Sequence, residues 1–482
     1  MHNISMRYTH TLKVLEQCQI APPTGSVPQT SLRLTFFDLA ELDIDPPLRC
    51  LYFYRLQCSK THFMQSILPG MKRSLSVTLQ HFFPFAGYLS WSPQSVMPEI
   101  IYCDGDSVSF TVAESNFSFN HICGNHLRDT NEFAPLATHL VPRSSTTAAV
   151  QYPLLALRVT LFPDSGICVG QTFNHVAADG MSATHFMKFW ASVCSNLGGE
   201  AKGLLSHSLP SFDRTTIIDP HGIEKAYLNY LKKIKITQHS FILPTIPTDP
   251  VHDKVVATFI MDSQSIEKLK KWILKRTIKI NPYFILTSVG VTCAYVWVCL
   301  IKALESVNVR GNSREHILIP VDSRTRLVPA LPVTYFGNCL ISCVTTINKN
   351  VLVGEDGIVI AAEMIGKAIQ TTCNKVLDGA EKLLDNFSSL ASERLIAISG
   401  SPKLGLYDVN FGWGKPKKFE IMSAYDDYGL ITLAEFGGNA DRGLEISVTL
   451  KNLEMDAFAS LFHDTLNNLL KGSSAMPLLS KL

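Results

Sequence analysis

The chain has 482 residues, of which 46% are hydrophobic and 17% charged, with a formal net charge of +2. That length exceeds one ordinary core and points to two domains around a large interior, while the near balance of charge leaves no global footprint for nucleic acid or an anionic membrane. Twelve cysteines show no C-x-x-C pair and the opening "MHNISMRYTHTLKVLEQ" lacks an apolar signal core, so the cysteines read as free thiols in a reducing compartment, with neither disulfides nor a structural metal expected.

In chain order, "LLALRVTLF" sets Leu155, Leu157, Val159 and Leu161 on one face, "PDSG" turns the chain, and "ICVGQTF" returns as a second strand. This pattern predicts a hairpin. Next comes "NHVAADG", Asn174 to Gly180. Beyond it Phe186, Phe189, Trp190, Val193 and Leu197 follow the helical period until Gly198-Gly199, so His175 falls on the turn between a core strand and a helix. Residues 1–203 form the first domain. A crossover over 204–250 carries Pro210, Pro220, Pro244, Pro247 and Pro250, and the second domain runs over 251–482.

The second domain opens with the strand "VVATFIMD", and Ser263 is placed to cap a helix carrying Ile266, Leu269, Trp272 and Ile273. Pro282 to Ile301 is free of charge and long enough to span a bilayer. Its Pro282 and Gly290, and the hydroxyls of Thr287, Ser288 and Thr292, fit a buried helix better than a membrane span. Later, "NFGWGKP" flanks Trp413 with glycines, a loop that either approaches a ligand closely and offers an indole N–H or is a packed aromatic turn. The terminal Ser480-Lys481-Leu482 matches a peroxisomal import address; a frayed polar tail is the other reading.

A histidine on a rigid turn can act as general base toward a hydroxyl. Asp179, four residues on, would either orient the imidazole or lock the loop. The bland alternative is a core histidine satisfied by a nearby carboxylate. No G-x-S-x-G nucleophile motif accompanies the pair, which favours direct transfer over a covalent acyl-enzyme.

Taken together, "HVAADG" and "FGWG" resemble the H-x-x-x-D-G and D-F-G-W-G markers of the plant BAHD acyl-CoA-dependent acyltransferases. "LTFFDLAELDIDPP", "HFFPFAGYL", "TSVGVTCAYVWVC", "PVDSRTRL" and "YFGNC" resemble that family in the same order. "YFGNC" and "CAYVWVC" are most like the branch that acylates anthocyanins and other phenolic glucosides, the malonyltransferase-like branch.

The resemblance implies an α/β fold of the two-domain CoA-dependent acyltransferase type, like chloramphenicol acetyltransferase, with mixed sheets and an interdomain channel. It implies acyl-CoA as co-substrate, a phenolic glycoside acceptor, no bound cofactor or metal, and a cytoplasmic monomer. His175 would be the base and Trp413 the oxyanion donor. Asp179 would point away from substrate to an arginine, with Arg324 the first candidate and Arg326 the second. Thr287 and Ser288 would line the CoA pocket, and Asn410 and Gly412 would shape the loop beside it. Asn410 stands where the family has Asp, which predicts weakened closure or CoA affinity, with Asp408 as a substitute carboxylate. Lys275, Arg276, Lys279, Lys415, Lys417 and Lys418 either meet CoA phosphates or form a solvated basic surface. The donor is hydroxycinnamoyl-CoA or malonyl-CoA: the neutral run Gly180 to Thr184 slightly favours a hydroxycinnamoyl or other uncharged group, and malonyl stays open because a cation could come from elsewhere in the fold. Two alternatives stay open: acylation of a non-glycosidic alcohol or amine, and a non-catalytic CoA-binding paralogue.

Overall fold

Leu155–Phe162 and Gly166–Phe173 pair as an antiparallel hairpin, with Leu155 opposite Phe173 and Phe162 opposite Gly166. A computed structural model describes residues 11–42, 47–144, 150–196, 209–237, 253–277, 284–307, 313–390, 392–422, 431–437 and 443–472. All of Gly166–Phe173 is buried. Ile167, Val169 and Phe173 meet the large core, whereas Cys168 joins a cluster with Leu51, Phe53 and Phe119 on the other face. A strand covered on both faces has no need of polar alternation, which explains its continuous apolar run.

The hairpin lies within a six-stranded sheet of spatial order Leu12–Ile20, Val108–Ser115, Leu155–Phe162, Gly166–Phe173, Leu48–Arg55 and Lys418–Met422. Against it packs the helix Gly180–Ser195, which buries Phe186, Phe189, Trp190 and Val193. Leu197, Gly198 and Gly199 lie outside the described residues.

A seven-stranded sheet runs Leu340–Asn348, Arg314–Asp322, Leu395–Ser399, Ile431–Glu435, Leu444–Lys451, Lys254–Met261 and Arg128–Asp129. Its core includes the helix Ser288–Ser306, which by length and apolar composition could cross a membrane yet has 78% of its most apolar window buried inside the fold. Around it pack Ser263–Thr277, Gly357–Asn374 and Asn452–Gly472. The cap of Ser263–Thr277 differs from the sequence reading: Asp262, one residue earlier than Ser263, accepts the Ser265 N–H at 2.7 Å. Both residues are common caps, and only the observed bond distinguishes them.

Each half of the chain lends a strand to the other's sheet. Lys418–Met422 pairs with Leu48–Arg55, and Arg128–Asp129 pairs with Lys254–Met261. A buried ion network follows this exchange, with Arg128 2.7 Å from Glu420 and Lys418 3.0 Å from Glu445. Lys418 is therefore a buried structural cation, which corrects its reading as a surface or phosphate-binding lysine. Within the stretch read as a crossover, Ile223–Lys233 is helical and Ser211 bridges Tyr335. Pro244, Pro247 and Pro250 lie outside the described residues.

Candidate active site

His175 opens a single 3-10 turn, His175–Ala177, at the end of the Gly166–Phe173 strand. The Asn174 side chain caps that turn by accepting the Val176 N–H at 3.1 Å. Asp179 then caps the helix Gly180–Ser195, accepting the Ser182 N–H at 3.0 Å. Two caps five residues apart in sequence fix the backbone on both sides of His175, which holds the ring more rigidly than a free loop would.

Asp179 points away from His175. Arg324 donates to both of its oxygens, at 2.7 and 2.9 Å, and the Cys339 N–H adds a third bond at 3.1 Å. Of the two arginines named from sequence, Arg324 makes the pair, and both partners are essentially inaccessible to water. Burial alone would lower the Arg324 pKa, but Asp179 and Asp322 outweigh it and hold the guanidinium charged. Arg326 instead donates to the Asp322 carbonyl.

A second clamp holds the backbone of His175 itself. The Asn338 amide donates to the His175 carbonyl at 2.8 Å and to Asp38 at 3.0 Å. Asp38 in turn accepts the Thr35 N–H and hydroxyl, each at 2.8 Å, and Arg214 at 2.5 Å. Asp38, Asn338 and Arg214 were not singled out as site residues. The first two stand in "LTFFD" and "YFGNC", stretches that carried a family resemblance without an assigned role. Arg214 comes from the segment read as a linker.

The ring faces a further acid that sequence reasoning missed. His175 Nδ1 is buried and lies 3.3 Å from Glu41 Oε2, out of hydrogen-bond alignment. About a fifth of the His175 side chain, 21%, remains open. With Nδ1 buried, Nε2 is the nitrogen left for a ligand. Burial pushes the Glu41 carboxyl above the usual carboxylate range; His175 opposes that rise and Asp179 and Asp38 add to it. Glu41 also borders a cavity walled by Phe36, Tyr227, Leu384 and Phe387.

The other sequence-predicted residues lie elsewhere. Thr287 caps the helix Ser288–Ser306 by accepting the Gly290 N–H at 2.9 Å, and Ser288 accepts from Lys270 at 3.0 Å. Arg276 is engaged by Asp356 at 2.9 Å and sits over the Trp272 ring; Lys279 lies outside the described residues. Lys415 pairs with Asp408 at 3.1 Å, so that carboxylate does not take the place of the family Asp at 410. Asn410 accepts the N–H groups of Gly412 and Gly414, both at 2.9 Å. Those glycines hold φ near +96° and +93°, a region that disfavours side chains.

The assignment of Trp413 as oxyanion donor is corrected by position. Its indole stacks on Phe411 and meets Tyr54 edge-on. A Cβ built on neighbouring Gly412 would stand 3.5 Å from Ser195. Ser195 ends the 16-residue helix that Asp179 begins, an axial span of about 24 Å at 1.5 Å per residue. An oxyanion donor must sit about 3 Å from the reacting oxygen. The tryptophan loop therefore packs an aromatic cluster at the far end of that helix.

Two exchanging α/β layers with a histidine loop at their junction define the CoA-dependent acyltransferase fold. Vinorine synthase shares it with a TM-score of 0.65 at 19% identity, over 93% of this chain and 96% of that one. The TRI101 protein of F. sporotrichioides, solved with coenzyme A and T-2, gives 0.60 at 13%, over 88% and 96%. The model of the Transferase family matches residues 12–465, and the chain belongs to this family, the plant BAHD acyltransferases. It is 37% identical to the malonyl-coenzyme A:anthocyanin 3-O-glucoside-6''-O-malonyltransferase of Dahlia pinnata, over 95% of this chain and 98% of the relative. It is 35% identical to a coumaroyl-CoA:anthocyanidin 3-O-glucoside-6''-O-coumaroyltransferase of Arabidopsis thaliana, over 93% and 96%. The agmatine coumaroyltransferase of Arabidopsis thaliana is 33% identical, over 95% and 100%. The protein is an acyl-CoA-dependent acyltransferase that uses acyl-CoA as co-substrate.

Proposed function

We propose that the protein transfers an uncharged acyl group, of hydroxycinnamoyl type, from acyl-CoA to a sugar hydroxyl of an anthocyanin, flavonoid or other phenolic glucoside. His175 is the general base. The observation that carries this reading is the His175 ring itself, with Nδ1 buried, Nε2 left for a ligand and its backbone clamped by Asn338. The acceptor hydroxyl loses its proton to Nε2 while its oxygen attacks the thioester carbonyl, and the proton leaves with the CoA thiolate. Thr287 and Ser288, at the N-terminus of Ser288–Ser306, line the CoA entrance, where a helix N-terminus favours phosphate.

The donor preference is supported by charge. Arg324 and Arg214 are committed to Asp179 and Asp38, and Glu41 places a carboxylate beside His175. A malonyl carboxylate brought there would meet a second carboxyl group rather than a free cation. A second reading, an amine acceptor, rests on the same Glu41, which among the described residues has no Lys or Arg partner and would attract an ammonium group.

Incubation with coumaroyl-CoA and malonyl-CoA, each against flavonoid glucosides and agmatine, tests the reading by product mass. The expected product is a coumaroyl glucoside ester. Malonyl esters as the main product would refute the donor preference, and an amide would favour the second reading. For location we propose the cytosol, with Ser480-Lys481-Leu482, outside the described residues, directing a share to peroxisomes. A fluorescent fusion leaving that terminus free, compared with one masking it, separates the two compartments.

A further inference from the structure

We propose that Glu41 is a positioning residue for His175: it faces Nδ1, so that Nε2 is presented to the acceptor, and it stabilises the ring while the ring carries the transferred proton. This rests on His175 being the base of the proposed reaction.

Three observations carry it. The 3.3 Å approach of Glu41 Oε2 to His175 Nδ1 is the only ion contact of either side chain among the described residues. The neighbouring acids are already matched, Asp38 by Arg214 at 2.5 Å and Asp179 by Arg324 at 2.7 Å. Asp179, the aspartate of the motif, has its oxygens turned to Arg324 and two backbone N–H groups, so it cannot perform this task. The ionisable groups facing Glu41 are therefore His175, Asp38, Asp179 and the Tyr227 hydroxyl, and of these only the protonated ring is a cation without another partner.

The contact is out of alignment in the resting state, and such geometry tightens when the ring gains charge. During transfer the acceptor O–H bond breaks and its proton goes to Nε2. The acceptor oxygen forms a bond to the thioester carbon, the C–S bond breaks, and the Nε2 proton passes to the thiolate sulfur. In this role Glu41 acts as the carboxylate, and its charge acts when the imidazolium forms in a poorly solvated site, where an ion contact is stronger than in water. The apolar and aromatic residues lining the small cavity that Glu41 borders limit competing solvation.

The Glu41→Gln variant keeps the shape and removes the charge. We expect kcat to fall roughly 10 to 10²-fold, less than the 10² to 10⁴ of losing the base itself, with KM for acyl-CoA unchanged. The acid limb of the kcat profile is compared in the two proteins, and loss of a carboxylate 3.3 Å from the ring should displace it. Stability should go the opposite way to rate. Burial raises the Glu41 carboxyl, so the ionised group costs stability above that raised value, and the cost fades as pH falls toward the ordinary 4.5. Glu41→Gln should then melt no lower than the native protein at neutral pH, and any advantage should vanish in acid.

Unchanged kcat with an unmoved limb would overturn the proposal. So would a lower melting temperature at neutral pH, which would make Glu41 structural. A raised acceptor KM with an unmoved limb would also overturn it, because Glu41 would then contact the acceptor directly. His175→Ala is assayed alongside: native turnover there means that the base assignment itself has failed, whereas an inert His175→Ala beside a native-like Glu41→Gln removes only the dyad.

Discussion

Asp179 commits its carboxylate to a guanidinium and two backbone N–H groups, so at the scale of single residues its role is to hold the His175 turn rather than to act on the ring. Asp179→Asn leaves Arg324, 1% exposed, with only the partly exposed Asp322 as counter-charge. Breaking a buried pair in this way costs about 3–5 kcal/mol. We expect the unfolding free energy from denaturant titration to fall by up to that amount, with turnover falling because the loop loosens; a variant of native stability would contradict the pairing. His175 and Asp179 were legible because they share one short motif, and Arg324 because a family resemblance asked for an arginine. Glu41, Asp38, Asn338 and Arg214 were not legible as a group. Asp38 and Asn338 stand 300 positions apart, and no local pattern links residues that only the closed fold brings together.

At the scale of elements, the hairpin and the helix after it were readable because their periods are local and strong. The tryptophan loop shows the limit of that signal. Its glycines and indole advertise backbone freedom and a donor, yet composition does not say where a loop docks. Its position at the far end of Gly180–Ser195 leads us to expect that Trp413→Phe changes kcat by less than about tenfold, well short of the 10² to 10³ cost of a lost oxyanion donor. The loop's order depends instead on Asn410. In Asn410→Ala the amides of Gly412 and Gly414 should lose hydrogen-exchange protection, since their acceptor is gone, whereas Asn410→Asp should retain it. Equal protection in both variants would show that the Asn410 side chain does not organise the loop.

For the whole molecule, the strand exchange ties the two sheets together through backbone pairing, a property that a boundary drawn along the sequence does not reveal. A two-residue strand such as Arg128–Asp129 carries no period, and Lys418 reads as a surface charge until it is seen buried beside Glu445. Lys418→Met leaves that glutamate without its cation, 7% exposed, and should lower stability by about 3–5 kcal/mol. The loss should be read equally by probes in both sheets; separate transitions would mean that the sheets are not coupled through this network. The clamps from Arg324, on Asp179, and from Asn338, on the His175 carbonyl, likewise reach the His175 turn from the second half of the chain, so the proposed base is held at the junction of both layers. The claim that His175 is that base is tested most directly by the turnover of purified His175→Ala on acyl-CoA and its acceptor, with CoA affinity measured on the same folded sample. The expected result is a loss in kcat of roughly 10² to 10⁴ with CoA binding preserved; near-native kcat in that variant would contradict it.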